Sequence, residues 1–243
     1  MKKVIKTSVC IATCNGELFI ANQLKSILLQ DMPVDEIIIS DDSSTDKTIE
    51  IIKSFTDNRI VLLENNMFKN PIFNFENALK KAKGKFIFLA DQDDLWDRSK
   101  VSVVSKLLET YDLVINDATI VNANDLVLVD SYFKFRNSGP GILKNFYRNT
   151  YLGCCMAFNR KILTRSLPFP VDIPMHDIWI GMIAELGGKT YFCKERLTSY
   201  RKHNSNISPT IIGKSSYKFL RQVKFRYNLF KELLRRIIVL YRF

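Results

Sequence analysis

Asp91, Asp93 and Asp94 put three carboxylates within four residues, and carboxylates so close repel one another unless a cation or a proton joins them. They follow Phe86-Ile87-Phe88-Leu89-Ala90, an apolar run that reads as a buried strand. Any carboxylate buried at such a strand end needs a partner. Hard carboxylate oxygens suit Mg²⁺ or Mn²⁺, with phosphate oxygens and water completing the coordination. The plainer alternative is a solvated acidic loop that caps the next helix through Asp94 or Asp97. A calcium loop fits poorly, because its sixth position counted from Asp91 is Trp96 rather than glycine.

Two more polar clusters have the same setting. Thr13, Asn15 and Glu17 follow the apolar run Ser8 to Ala12, and Asp41 and Asp42 follow Ile37-Ile38-Ile39-Ser40. The Ser/Thr/Asp residues from Asp41 to Asp46 also supply a helix cap. Later in the chain, Asp177 sits beside His176 at the start of a helical pattern, where a negative charge complements the helix dipole. The only other histidine is His203; both histidines are read as belonging to polar loops.

The elements that must position these groups alternate. Strands are predicted over 8–12, 37–40, 59–63 and 86–90, and helices over about 18–30, to about 52, 73–81 and 99–109. Continuous apolar strands alternating with helices imply an α/β fold with a largely parallel sheet covered on both faces. Ligands of such sheets bind beyond the carboxyl ends of the strands, where all three clusters fall. The second half is less regular. Short strands are predicted at 113–115, 120–121, 191–192 and 197–200, a strand over 152–158, an extended loop at Pro168, Pro170 and Pro174, a helix from about 175 to 186, and a polar loop over 201–206.

The 243 residues suffice for one large α/β domain, and 47% hydrophobic with 25% charged residues is ordinary globular composition. Five scattered cysteines form no CxxC pair and no zinc spacing, which suggests reduced thiols in a cytoplasmic protein. The start Met1-Lys2-Lys3 is not a signal peptide, since Thr13, Asn15 and Glu17 interrupt the apolar run behind it. No stretch is apolar for long enough to span a bilayer. Net charge is +11, and most of it lies in a tail from Lys214 onward, where nine basic residues face only Glu232.

Taken together, these motifs resemble family-2 glycosyltransferases of the GT-A fold, and the bacterial rhamnosyltransferase-like members in particular. The resemblance covers roughly Ser8 to Ser208. It rests on five segments in the family's order: Ser8 to Glu17, Ile39 to Asp46, Asp91-Gln92-Asp93-Asp94, His176-Asp177-Ile178-Trp179, and Tyr200 to Asn206. One departure is Ala12, where the family often has proline. The resemblance implies a metal-dependent inverting enzyme. Asp41 would bind the base of a nucleotide, with Thr13, Asn15, Glu17 and Asp42 lining the same pocket and Asp91 near the ribose. Asp93 and His203 would hold Mn²⁺ or Mg²⁺ against the diphosphate. Asp177 would deprotonate the acceptor hydroxyl. Asp94, Trp96, Gly153, His176 and Trp179 would be sugar or acceptor contacts, although both tryptophans also suit core packing. The donor would be dTDP- or UDP-linked, with dTDP-rhamnose as one candidate, and the acceptor a glycan or lipid-linked saccharide.

Two other functions compete. A sugar-1-phosphate nucleotidyltransferase would need a glycine-rich loop with a basic residue after the first strand, and Thr13 to Glu17 has one glycine and no base. A nucleic-acid-binding protein would explain the charge, but no binding module appears in the body, and nucleic acid is not an expected partner. The chain is divided into a catalytic domain over 1–212 and a basic amphipathic helical tail over 213–243. That tail either packs on the body or another subunit, or lies on the anionic inner face of the cell membrane.

Overall fold

The computed structural model describes residues 6–203 and 219–241. The first half alternates as its apolar periodicity requires: β1 (Thr7–Thr13), α1 (Ile20–Leu28), β2 (Glu36–Asp41), α2 (Thr48–Ser54), β3 (Ile60–Leu63), α3 (Pro71–Lys81), β4 (Phe86–Asp91), β5 (Leu95–Trp96) and α4 (Lys100–Leu107). The second half comprises β6 (Leu113–Asn122), β7 (Val127–Val129), α5 (Tyr132–Arg136), α6 (Ile142–Tyr147), a 3₁₀ turn at Gly153–Cys155, β8 (Met156–Asn159), α7 (Arg160–Ser166), α8 (His176–Gly187), β9 (Thr190–Lys202) and α9 (Phe219–Tyr241).

One sheet runs β3-β2-β1-β4-β8-β6-β9-β5, with β7 added on β6. Its first four strands are parallel, and so is the β6–β9 pair, whereas β8, β5 and β7 pair antiparallel. The two-residue period of a strand sends alternate side chains to two cores. Val9, Ile11, Ile37, Ile39, Phe86 and Phe88 face α1 and α4, while Cys10, Ile38, Ile87 and Leu89 face α3, α7 and α8. The register sets Thr13 beside Asp41 and Ala12 beside Asp91. The three polar clusters therefore leave the sheet at one edge.

The structure revises the second half in several places. The short strands expected at 113–115 and 120–121 are one strand, β6, and those at 191–192 and 197–200 are one strand, β9; they pair along their length with a register irregularity at Asn116 to Ala118. The polar residues that looked like a break are buried with partners. Asp117 accepts from Ser131 Oγ at 2.5 Å and from Phe133 N at 2.8 Å, and Asn116 Nδ2 donates to Thr198 Oγ1 at 3.0 Å. The strand expected over 152–158 begins only at Met156, because the backbone turns at Gly153–Cys155. Arg201 and Lys202 belong to β9 rather than to a loop. Asn204, Ser205 and Asn206 lie outside the described residues, as do the expected 212/213 boundary and tail residues 213–218 and 242–243.

Helix α9 docks on the body along one face. Leu229 and Leu233 are buried. Arg236 donates to the carbonyl oxygens of Arg165, Leu167 and Pro168 at 2.5–2.8 Å, and its guanidinium lies 5.2 Å from the Trp179 ring centre. These carbonyls close the carboxyl end of α7, where a cation is favoured. The packing alternative for the tail is thus realised for this face. No helix among the described residues is long and apolar enough to cross a membrane.

Candidate active site

The strand ends are knitted together before any ligand is considered. Thr13 Oγ1 donates to Gln92 Oε1 at 2.5 Å, Cys14 N donates to the same oxygen at 2.9 Å, and Gln92 Nε2 returns to Cys14 O at 3.2 Å. Gln92, the residue between the acidic positions, thereby fastens their turn to the end of β1. Gly16 belongs to this contact, since a Cβ there would come within 2.5 Å of Gln92 Oε1. Asn74 Nδ2 donates to Thr13 O from α3 at 3.1 Å.

The β1 and β2 ends spend most of their polar groups on their own loops. Asp41, fully buried, accepts from Ser44 N at 2.9 Å and Ser44 Oγ at 2.5 Å. Asp42 accepts from Phe68 N at 2.6 Å and Asn70 N at 3.2 Å, so it folds the 66–70 loop over β2. Asn15 Oδ1 accepts from Thr45 N, and Glu17 Oε2 from Lys47 N. Glu17 and Asp42 thus each hold a neighbouring loop through backbone N–H groups. A carboxylate has about four lone-pair sites, so Asp41 keeps capacity to accept from a ligand.

At the end of β4 the situation reverses. Asp93 Oδ2 lies 2.7 Å from His203 Nε2. The imidazole of His203 is stacked on Phe19 with ring centres 4.8 Å apart. This histidine directly follows β9 and reaches back across the edge, so two residues 110 apart in sequence form one pair. Arg201, buried on β9, holds the turn from behind: its N donates to Asp94 Oδ1 at 3.1 Å and its Nε to Asp93 O at 3.0 Å. Burial raises the pKa of Asp94, with Asp93 and Asp91 adding to it; burial also raises that of Asp91, with Asp93 and Asp177 adding and Lys100 opposing. Lys100 Nζ is a second buried cation at this edge, donating to Cys154 O at 2.8 Å and Thr198 Oγ1 at 2.9 Å, 4.1 Å above the Trp96 ring.

The base candidate enters from the opposite wall. Asp177 opens α8, half-buried, and burial pushes its pKa up to about 6, against hydrogen bonds from Ile178 N and the Asn149 side chain. The 153–155 turn links it to the acidic turn: a Cβ on Gly153 would lie 3.6 Å from Asp177 Cβ, and the next residue, Cys154, brings its sulfur within 4.8 Å of carboxylate oxygens of Asp91 and Asp94. His176 is not in a polar loop, contrary to expectation. It is buried on Phe75, ring centres 4.2 Å apart, with neither ring nitrogen bonded, and burial pushes its pKa down to about 3. Gly153 is required by that ring, for a Cβ would lie 2.9 Å from His176 Nε2. A neutral imidazole with two unbonded ring nitrogens therefore sits directly against the Gly153 backbone.

Both tryptophans are packing residues rather than sugar platforms. Trp179 is fully buried and donates Nε1 to Ser166 O at 2.9 Å. Trp96 is buried between Phe88 and Lys100. Gln92, Lys100, Asn149 and Arg201 are the site residues that sequence reasoning missed. A lysine or arginine in a sequence reads as surface, and only the burial of Lys100 and Arg201 marks them.

The donor set fits a divalent cation. Asp93 offers oxygen and His203 nitrogen from converging strand ends, a combination that suits Mn²⁺. Asp91, Asp94 and Cys154 also bring donor atoms within 4.8 Å of one another. There, however, burial drives the Cys154 thiol pKa up, and a protonated thiol is a poor ligand.

Known proteins resemble this chain. The model of Glycosyl transferase family 2 matches residues 8–167. The UDP-Glc:alpha-D-GlcNAc-diphosphoundecaprenol beta-1,3-glucosyltransferase WfaP of Escherichia coli is 28% identical over 234 residues, spanning 96% of this chain and 84% of that protein. The dTDP-rhamnosyl transferase RfbG of Shigella flexneri is 29% identical over 239 residues, spanning 88% and 79%. The crystal structure of S. aureus TarS 1-349 with UDP-GlcNAc aligns with a TM-score of 0.66 at 21% identity, over 96% of this chain and 73% of that one. The mannosyltransferase PcManGT of Pyrobaculum calidifontis with GDP-Man and Mn²⁺ gives 0.65 at 21% identity, over 96% and 65%. At these identities the structural likeness is one of fold.

Proposed function

This chain belongs to glycosyl transferase family 2 and is a glycosyltransferase of the GT-A fold; from that premise we propose that it moves a sugar, with inversion, from a nucleotide-sugar to a hydroxyl of a lipid-linked saccharide or glycan. The observation that carries the reading is that Asp177 and the Asp91–Asp94 turn both border the Gly153–Cys154 turn, Asp177 against Gly153 and the acidic pair Asp91 and Asp94 against Cys154. Asp177, with its pKa near 6, is ionised at neutral pH yet a strong enough base to share the acceptor proton as the bond forms. Asn149 orients its carboxylate, and Arg201 and Gln92 hold the opposing turn still, so that donor and acceptor meet in one geometry. Asp41 and Thr13 bind the nucleoside, Asp91 the ribose, and Gly153 with neutral His176 the donor sugar.

Asp93 and His203 would hold Mn²⁺ or Mg²⁺, which when bound supplies charge compensation to the departing diphosphate. Relatives whose names carry diphosphoundecaprenol acceptors favour a lipid-linked acceptor at the cytoplasmic face of the membrane, reached through the basic helix α9 and its flanks. They also differ in nucleotide, UDP in some and dTDP in another; dTDP-rhamnose is supported by the Tyr200–His203 segment and UDP-glucose by the first of these. Family membership favours this reading over a nucleotidyltransferase or a nucleic-acid binder. The test is a screen of UDP-, dTDP- and GDP-sugars for nucleoside diphosphate release with Mn²⁺ and with excess chelator. Release from one donor, lost on chelation, is expected. Pyrophosphate formation from a sugar phosphate, or no release from any donor with lipid-linked saccharides present, would overturn it.

A further inference from the structure

Helix α9 has two apolar faces. Leu229 and Leu233 are seated in the body, while Leu220, Val223, Tyr227, Phe230, Leu234 and Ile238 recur at helical spacing on the outside, between 45% and 80% exposed. Helix α6 continues this outer stripe from within the catalytic domain. Its Leu143 and Tyr147, one turn apart, are 80% and 76% exposed. The two helices touch: Arg226 Nη2 donates to Tyr147 O at 2.8 Å with its guanidinium over the Tyr147 ring, and the Phe146 and Phe230 rings meet edge-on at 6.5 Å. A contiguous exposed apolar surface of this kind marks an interaction site.

Its charge identifies the occupant. Of the seven lysines and arginines in residues 131–171, Arg160, Lys161 and Arg165 are engaged by Ala82, Gly84, Asp112 and Gly187, which leaves Lys134, Arg136, Lys144 and Arg148 around α6, a stretch with no carboxylate between residues 131 and 171. Helix α9 carries six basic residues; Lys231 lies 3.7 Å from Asp172 and 3.4 Å from Glu232, Arg235 engages Glu232 at 2.8 Å and Arg236 is docked on the body, so Arg221, Lys224 and Arg226 are its contribution to this surface. We propose that α6 and α9 together form one surface that seats on an anionic lipid bilayer, with α6 as its fixed part beside the catalytic base. A second copy of the chain is the poorer occupant, because a two-fold interface sets a patch against itself and here would oppose like charges. An anionic bilayer accepts the apolar stripe and pairs with the cations.

The placement bears on catalysis. Asn145 fixes α6: its Nδ2 donates to Gly139 O at 2.9 Å, and its Oδ1 accepts from Thr150 N and Oγ1. The chain then runs through Arg148 to Asn149, whose side chain bonds Asp177. Bilayer contact at Leu143 is thus six residues from a group that touches the base, and seating α6 presents that side of the cleft to a lipid-borne acceptor. This rests on the lipid-linked acceptor reading and adds to it a surface outside the tail.

The experiment is co-sedimentation of the full chain with phosphatidylcholine vesicles, with and without phosphatidylglycerol, for the parent, Leu143→Glu/Lys144→Glu on α6, and Tyr227→Glu on α9. Nucleoside diphosphate release and thermal melting are measured in parallel, with Leu143→Ser as the milder α6 change if the double variant melts early. The parent is expected to bind only the anionic vesicles, and each variant to lose at least ~10-fold in affinity with melting and solution turnover unchanged. An α6 variant that binds like the parent while Tyr227→Glu does not would overturn the composite surface and leave the tail as the sole contact. A parent that binds no vesicle but dimerises by light scattering, the dimer lost in both variants, would overturn it in favour of a second copy. Turnover in solution stands or falls separately, so failure here is distinguishable from failure of the transferase reading.

Discussion

The carboxylates at the end of β2 and those at the end of β4 look alike in sequence and live differently. Asp41 and Asp42 are satisfied by Ser44, Phe68 and Asn70, all N–H or O–H donors of adjoining loops. Asp91, Asp93 and Asp94 crowd together, and besides nearby Lys100 their neighbours come from more than a hundred residues away: Arg201 and His203. The first group stabilises a loop. In the second, burial first and neighbouring carboxylates next disfavour the charged forms of Asp91 and Asp94. Folding alone gives no reason to assemble such a group, whereas binding a cation and a diphosphate does. Under the proposed function, the difference separates residues that build the pocket from residues that work in it.

The largest expected effect breaks the second group. Asp93→Ala, or excess chelator on the parent, should lower transfer by roughly 10³-fold, the several kcal/mol a cation contributes at a leaving group. Melting should shift little, because Asp93 contributes no packing to either core. Full turnover in chelator would remove the metal role and, with it, the contrast between the two groups.

Next is Asp177→Asn. Loss of a general base should cost about 10²–10⁴ in turnover while nucleotide binding, followed by calorimetry, stays intact. The same change should stabilise the fold at pH 7. The folded pKa is about 6, above the 3.8 of an unperturbed aspartate. The native state thus favours the protonated carboxyl; this stability is full below pH 3.8 and lost as pH rises through about 6. Removing the charge recovers about 1–2 kcal/mol at neutral pH, after allowing for weaker hydrogen bonds to Ile178 and Asn149, and nothing at pH 3. An active Asp177→Asn beside an inactive His176→Ala would transfer the base role to His176.

A third expectation sharpens the comparison through pH. Turnover at saturating substrate should fall about tenfold per pH unit below about 6, as Asp177 protonates. Nucleoside binding is followed by calorimetry over the same range. Coincident loss of both would mean that one titration governs the whole edge.

The smallest effect on activity is expected at the first group. Asp42→Ala should reduce turnover by no more than ~10-fold while lowering stability by about 1–3 kcal/mol, since Phe68 and Asn70 lose their acceptor. Unchanged melting with abolished nucleotide binding would place Asp42 among the working residues after all.

Local pattern determined the first half of the molecule. Strands β1, β2 and β4 are apolar runs ended by polar clusters, and a parallel sheet must deliver those ends to one edge. The acidic turn, Asp41, Asp177 and the order of motifs were therefore legible without reference to partners. Tertiary structure alone decided the rest. It joined 113–115 to 120–121 as one strand, because Asn116 and Asp117 found buried partners that no local signal names. It put Lys100 and Arg201 inside, offset by carbonyls and carboxylates from other elements. It turned both tryptophans into core, buried His176 and brought His203 to Asp93. Periodicity reports which face of an element is apolar, but the partner of a buried polar group is chosen by chain segments far away in sequence, and only the packed fold brings them within hydrogen-bonding distance.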